Sequence, residues 1–129
     1  MITSKPTTLS PEEFAQVFEH VSPHAQHDYL QEIAAQKCQL FLLEFEEKTS
    51  WLITSVSKVY GVTFLNVLEL AGDFGYASYP AEFLEFLKAK AKAVNADEIR
   101  VIAARLGSGK MLKEYGFTLE YAEYGLRVK

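Results

Sequence analysis

Cysteine is nearly absent: Cys38 stands alone, so no disulfide can close within the chain, and a reducing compartment suits it. Long apolar runs are missing too. The most apolar windows, such as residues 62–71, fall far short of the ~20 residues that a membrane helix needs. The opening stretch MITSKPTTLSPEE has no apolar segment of the kind that directs secretion. Positive charge is in deficit, with 13 Lys and Arg against 17 Asp and Glu and a net charge of −4. That balance argues against nucleic acid as a partner, because phosphate contacts need a basic surface. The only local basic run is Lys88, Lys90 and Lys92, with Lys110 and Lys113 further on. There is no internal repeat, no low-complexity tract and no Gly-x-Ser-x-Gly elbow, so no hydrolase triad can be read. These absences leave a soluble, cytoplasmic domain, with no membrane and no nucleic-acid partner, as the expectation.

What is present is the makings of a core. Hydrophobic residues make up 49% of the 129 and aromatic residues 13%, against 23% charged, a composition that folds as one globular domain over residues 1–129. Ser10-Pro11-Glu12-Glu13 carries a capping residue, a proline at the first helical position and acids in the first turn. Phe14, Val17, Phe18 and Val21 follow at helical spacing. Ser22-Pro23 repeats the start signal for a second helix from about His24 to Gln36, with Tyr29, Leu30, Ile33 and Ala34 facing inward.

The period then shortens to that of strands. Residues 39–47 read as a strand, Lys48-Thr49-Ser50 as a turn, residues 51–60 as an alternating strand, and residues 62–70 as a more apolar, central one. A loop rich in glycine and aromatics spans 71–79. Pro80 opens a helix to about Val94 with a stripe of Phe83, Phe86, Leu87 and Ala91. A strand at 98–104, a short helix at 108–115 and a final strand or hairpin at 117–128 complete the order α-α-β-β-β-α-β-α-β. Residues 1–9 are either a weak first strand or a disordered tail. The expected class is α/β (α+β): a mixed, mostly antiparallel central sheet flanked by helices.

Three constellations invite chemistry. Gly107-Ser108-Gly109-Lys110 lies between a strand and a helix, but a P-loop would need glycine where Ala104 stands and a hydroxyl where Met111 stands. His20, His24 and His27 would gather on one continuous helix, yet Pro23 divides them, so no metal is expected and solvated or capping histidines are. Cys38 reads as a small buried hydrophobe. The aromatics Phe74, Tyr76 and Tyr79, and then Tyr115, Tyr121 and Tyr124, concentrate in the loop and the last strand. Tyrosine is enriched at protein interfaces, so a protein partner is expected there, and self-association through the last strand is open as well.

The element order, the strand EIRVIAA at 98–104 and the ending Leu112-Lys113-Glu114-Tyr115-Gly116-Phe117 resemble the GNAT-fold N-acyltransferases, a short helix, Gly-Phe and a last strand closing that family's domain. The likeness runs over nearly the whole chain from about residue 10. It implies coenzyme A bound against strand 62–70, with its diphosphate on the loop that follows. Leu70, Gly72, Gly75, Tyr76 and Ala77 would then be the cofactor-binding residues. It implies Glu69, and next Glu44, as the general base on the strands or through water, although the residues themselves read first as wet-face strand carboxylates. Departures from the family pattern oppose catalysis. Gly72 stands for the Gln or Arg of the phosphate signature, Asp73 adds negative charge, Pro80 removes an amide donor, and Leu112 fills the slot of the tyrosine that protonates the thiolate. The expectation is therefore a diverged, non-catalytic GNAT-fold protein that needs no cofactor and acts by binding protein. Small GNAT-like proteins of bacteriophages, including virion accessory proteins, are similar in size and motif loss, which would put it in the host cytoplasm or the virion. The alternative is an active acetyl-CoA-dependent N-acetyltransferase on an amine acceptor.

Overall fold

The computed structural model describes residues 1–73 and 81–101. Within them run β1 (Thr3–Pro6), α1 (Pro11–Val17), α2 (Pro23–Ala34), β2 (Gln39–Phe45), β3 (Lys48–Val59), β4 (Val62–Gly72), α3 (Ala81–Ala93) and β5 (Glu98–Val101). The strands form one sheet in the order β1-β2-β3-β4-β5. Neighbours are antiparallel except β4 and β5, which are parallel and joined through α3. The mixed, mostly antiparallel sheet with flanking helices is the expected class. The expected final helix and strand lie outside the described residues, as do Gly107–Lys110 and Leu112–Phe117.

Both helix starts form as their sequences foretell. Ser10 and Glu13 close a reciprocal capping box: the Glu13 amide donates to Ser10 Oγ at 3.1 Å, and the Ser10 amide to Glu13 Oε1 at 3.0 Å. These bonds hold the exposed Glu13 carboxyl below its ordinary range. Ser10→Ala is expected to lower stability by about 1 kcal/mol, measured by urea unfolding, because the Glu13 amide loses its acceptor. Ser22 caps α2 in the same way, accepting from the Ala25 amide at 3.3 Å.

Of the two readings left open for residues 1–9 the strand is the one that forms, and two other expectations need correction. Residues 3–6 form a strand paired with β2 in the register Thr3↔Glu44 to Pro6↔Phe41, anchored by the buried Ile2. The β2–β3 turn is Glu46-Glu47 rather than Lys48-Thr49-Ser50. Glu46 and Glu47 sit at φ 48° and 65° between the paired Phe45 and Lys48, the pattern of a two-residue hairpin, and Tyr60-Gly61 repeats it at φ 50° and 83°. Ala34, expected inward, is exposed at the end of α2.

Two cores lie on opposite faces of the sheet. On one face Leu43, Leu52, Val67 and Leu70 pack with Phe83 and Leu87 of α3. On the other, Leu40, Ile53 and Ala71 pack with Phe14, Phe18, Val21 and Cys38 under the α1–α2 pair. Of the basic run, Lys90 lies over the Phe41 ring at 3.5 Å from its centroid and is half-buried there.

Candidate functional site

A single irregularity in β4 builds the site. β3 and β4 pair in simple register up to Thr54↔Val67, and the next pair is Ile53↔Glu69. Leu68 is thus an extra residue on β4, a β-bulge. Side chains alternate along a strand, so one extra residue reverses the faces of everything beyond it. Without the bulge Glu69 would share the α3 face with Val67. With it, Glu69 lies beside Ile53 on the α1–α2 face, and Leu70, paired with Leu52, turns into the α3 core.

Glu69 is buried there rather than on a wet face, which corrects that reading. Its two oxygens have different partners: His20 Nε2 lies 3.1 Å from Oε2, and the Tyr29 hydroxyl donates to Oε1 at 3.3 Å. Burial, and then the Glu69 charge, push the Tyr29 hydroxyl above the ordinary phenol range, so it remains a proton donor. His20 is therefore neither a cap nor a solvated side chain. It stands in the short link between α1 and α2, and that link is fastened at both ends. The Gln26 side-chain amide donates to Phe18 O at 3.1 Å and to Val21 O at 2.9 Å, while the Phe18 and Val21 side chains are buried. His24 and His27 are exposed on α2, separated from His20 by the Ser22-Pro23 start. Cys38 is buried in the same core, and burial followed by the Glu32 charge raises its thiol, which suppresses the thiolate a nucleophile requires. Glu44 is exposed on β2, with β3 between it and β4.

The segment that forms α1, the link and α2 is acidic. Between Pro6 and Gln36 the chain carries Glu12, Glu13, Glu19, Asp28 and Glu32 and no Lys or Arg. All of these except the half-buried Glu32 are exposed. The helical pair therefore presents negative potential to anything approaching His20.

Of the residues expected at a cofactor site, Leu70 is buried in the α3 core. Gly72 ends β4 at φ 122°, where a Cβ would lie 2.6 Å from Thr49 O and 2.7 Å from Ser50 Cα. Gly75, Tyr76 and Ala77 lie outside the described residues, as do Phe74, Tyr79, Tyr115, Tyr121 and Tyr124. Asp73 turns back on β3: its carboxylate accepts from the Thr49 amide at 2.8 Å, and its own amide donates to Thr49 O at 2.9 Å. Asp97 makes the same reciprocal pair with Thr63 at the other end of β4, so the arrangement is a strand-edge fastening. The described β4–β5 ladder ends at Val67↔Val101, so among the described residues no strand pairs with Glu69–Gly72 on the β5 side.

No protein-family model and no curated protein matches this sequence. Solved structures do. A ribosomal-protein-alanine N-acetyltransferase from Brucella melitensis biovar Abortus 2308 superposes with a TM-score of 0.66 at 12% identity, over 98% of this chain and 99% of that one. An aminoglycoside 6'-N-acetyltransferase from Acinetobacter haemolyticus gives 0.59 at 15% identity, over 98% and 99%. A transcriptional regulator from Bacillus halodurans C-125 gives 0.63 at 11% identity, over 98% and 99%. The fold is that of the GNAT acetyltransferases, the fold that the resemblance implied. At such identities the likeness speaks for fold, and function has to be argued from the site. No described helix is long and apolar enough to cross a membrane.

Proposed function

We propose that this domain transfers an acyl group from an acyl-coenzyme A thioester to a cationic amine. The observation that carries the reading is Glu69, a carboxylate turned by a bulge into the α1–α2 face and held there by His20 and Tyr29. Burying such a group is unfavourable unless it is fully bonded, and bulges that re-aim one side chain concentrate beside active sites. The other substrate would lie along β4 beyond Glu69, where the resemblance puts coenzyme A, because an amide-bearing arm such as pantetheine can pair with strand backbone. The coenzyme supplies the acyl group as an activated thioester. The chain's part is to draw in the amine with the acidic helical pair, to shield the reaction from water under that pair, and to take the amine's proton at the His20–Glu69 pair.

Melting in millimolar acetyl-CoA tests the reading: at about 100 times its dissociation constant the ligand should add ~2.7 kcal/mol to stability. Release of free thiol from acetyl-CoA should then depend on an added polyamine such as spermidine. Unchanged melting together with no thiol release would sink the proposal.

A second reading, a diverged non-catalytic domain that binds protein, draws support from two further observations. The Asp73 carboxylate stands fixed at the mouth of the expected phosphate loop, where a diphosphate would be repelled. At the far end of the β3–β4 hairpin, Val56 and Val59 are half exposed and Tyr60 is fully exposed. This reading suits an accessory protein of a phage virion or of the host cytoplasm, and it expects acetyl-CoA to leave melting unchanged.

A further inference from the structure

We infer that His20, rather than Glu69, is the group that accepts the amine's proton, and that Glu69 and Tyr29 orient it. The inference rests on the acyltransfer reading above and assigns the base within it.

Hydrogen-bond direction fixes where the proton sits. An ionised carboxylate can only accept, so the contact between His20 Nε2 and Glu69 Oε2 requires the hydrogen on Nε2. The neutral imidazole then carries its lone pair on Nδ1, and Nδ1 has no hydrogen-bond partner among the described residues. Glu69, by contrast, is occupied on both oxygens, by His20 and by Tyr29. Access points the same way: the His20 side chain keeps 16% of its surface and that of Glu69 8%, so a substrate arriving from solvent meets the imidazole first. The groups facing the imidazole are the Glu69 carboxylate from β4 and, against the same carboxylate, the Tyr29 hydroxyl from α2. From the α1 side it meets the Phe18 ring, 6.2 Å between centroids, and Glu19 beside it in the chain is exposed. Gln26, by fastening the link that carries His20, keeps the ring in place. A base held in one tautomer by a carboxylate behind it is the arrangement that general-base catalysis by histidine requires.

The step balances as follows. An alkylammonium ion gives one proton to Nδ1, and the imidazolium is stabilised by Glu69. The freed amine nitrogen attacks the thioester carbonyl, a C–N bond forms, and the C–S bond breaks with its electron pair on sulfur. The nitrogen's second proton passes to the thiolate, giving an amide and free thiol, and His20 returns its proton to solvent. The acceptor class follows from the net negative charge of the helical pair that carries the imidazole: an amine that is itself cationic, and polycations before monoamines.

His20→Gln is the decisive variant, because its side-chain amide can still donate to Glu69 but has no titratable lone pair. With acetyl-CoA and spermidine, kcat/KM is expected to fall at least ~100-fold at unchanged melting temperature. A His20→Gln rate within a few-fold of wild type would overturn the assignment while leaving acyltransfer standing. Wild-type protein that releases no thiol would overturn both. A readout independent of turnover is the imidazole tautomer seen in long-range proton–nitrogen correlation spectra, with His20 identified by its loss in the variant. The hydrogen on Nε2 is the expected result, and a hydrogen on Nδ1 refutes the proposal.

Discussion

Gly72→Ala is expected to destabilise the domain by about 3 kcal/mol, from a strained backbone and an overpacked contact, each of which costs ~1–3 kcal/mol. Gly72 sits at φ 122°, which L-residues rarely adopt, and its missing side chain faces backbone rather than a yielding side chain. The nearest atoms, Thr49 O and Ser50 Cα, belong to the β3 segment that pairs with Gly72 and is tied to Asp73 by two hydrogen bonds. Relief therefore means opening the β3–β4 ladder where it enters the loop. Gly61→Ala is the control. Gly61 also has positive φ, at 83°, but nothing lies within 4 Å of its added Cβ. Only the conformational part remains there, about 1 kcal/mol. Urea unfolding of the two variants side by side checks the account, which fails if Gly72→Ala costs no more than Gly61→Ala. The consequence reaches function, because strand packing alone explains glycine at position 72. Glycine at the position that the resemblance assigns to Gln or Arg therefore says nothing by itself about whether a diphosphate binds.

The parts of the fold written locally in the sequence were legible, and the parts written by pairing were not. Ser10-Pro11 and Ser22-Pro23 announce two helices because capping is decided within four residues. The stripe Phe83, Leu87, Ala91 places α3 for the same reason. The β2–β3 turn was misplaced because Lys-Thr-Ser has turn propensity and Glu-Glu does not. Pairing Leu43 with Ser50 and Phe45 with Lys48 overrides that preference and forces Glu46 and Glu47 to positive φ. β1 offers four exposed residues and no alternation, so only its partner β2 defines it.

The site was half legible. Glu69 stands out as a carboxylate in an apolar strand, but β4 is apolar on both faces, so its alternation does not tell which face Glu69 takes, and a one-residue bulge leaves no compositional trace. His20 and Tyr29 meet Glu69 across 49 and 40 residues of chain. The signal that could have found His20 was its place in a link between two capped helices. There a histidine is held by backbone on both sides and still reaches the sheet.

Replacing Glu69 separates its structural from its chemical work. Glu69→Leu leaves the part-buried Tyr29 hydroxyl and His20 ring facing an apolar side chain, and a buried donor without an acceptor costs ~1–3 kcal/mol, so a loss of roughly 1–3 kcal/mol in all is expected by urea unfolding. Removing the stranded hydroxyl as well should reverse part of this: Tyr29→Phe, destabilising alone, is expected to recover about 1 kcal/mol in the Glu69→Leu background. Strict additivity of the two changes would refute the pairing. Alkaline pH supplies an independent check. The folded protein holds Tyr29 protonated above its ordinary pKa, so the unfolded chain binds fewer protons once the pH passes about 10. Stability should therefore be intact below that point and fall as pH rises through the folded value, and Tyr29→Phe should flatten the decline. Glu69→Gln behaves differently again. Its amide keeps an oxygen for Tyr29 and presents an N–H₂ to His20, which the ring can accept only by moving its own hydrogen to Nδ1. The fold survives at a cost of under about 1 kcal/mol, yet the lone pair on Nδ1 is gone, so acyl transfer should fall as far as in His20→Gln. A Glu69→Gln protein that melts like wild type and turns over like it would leave the carboxylate with neither role.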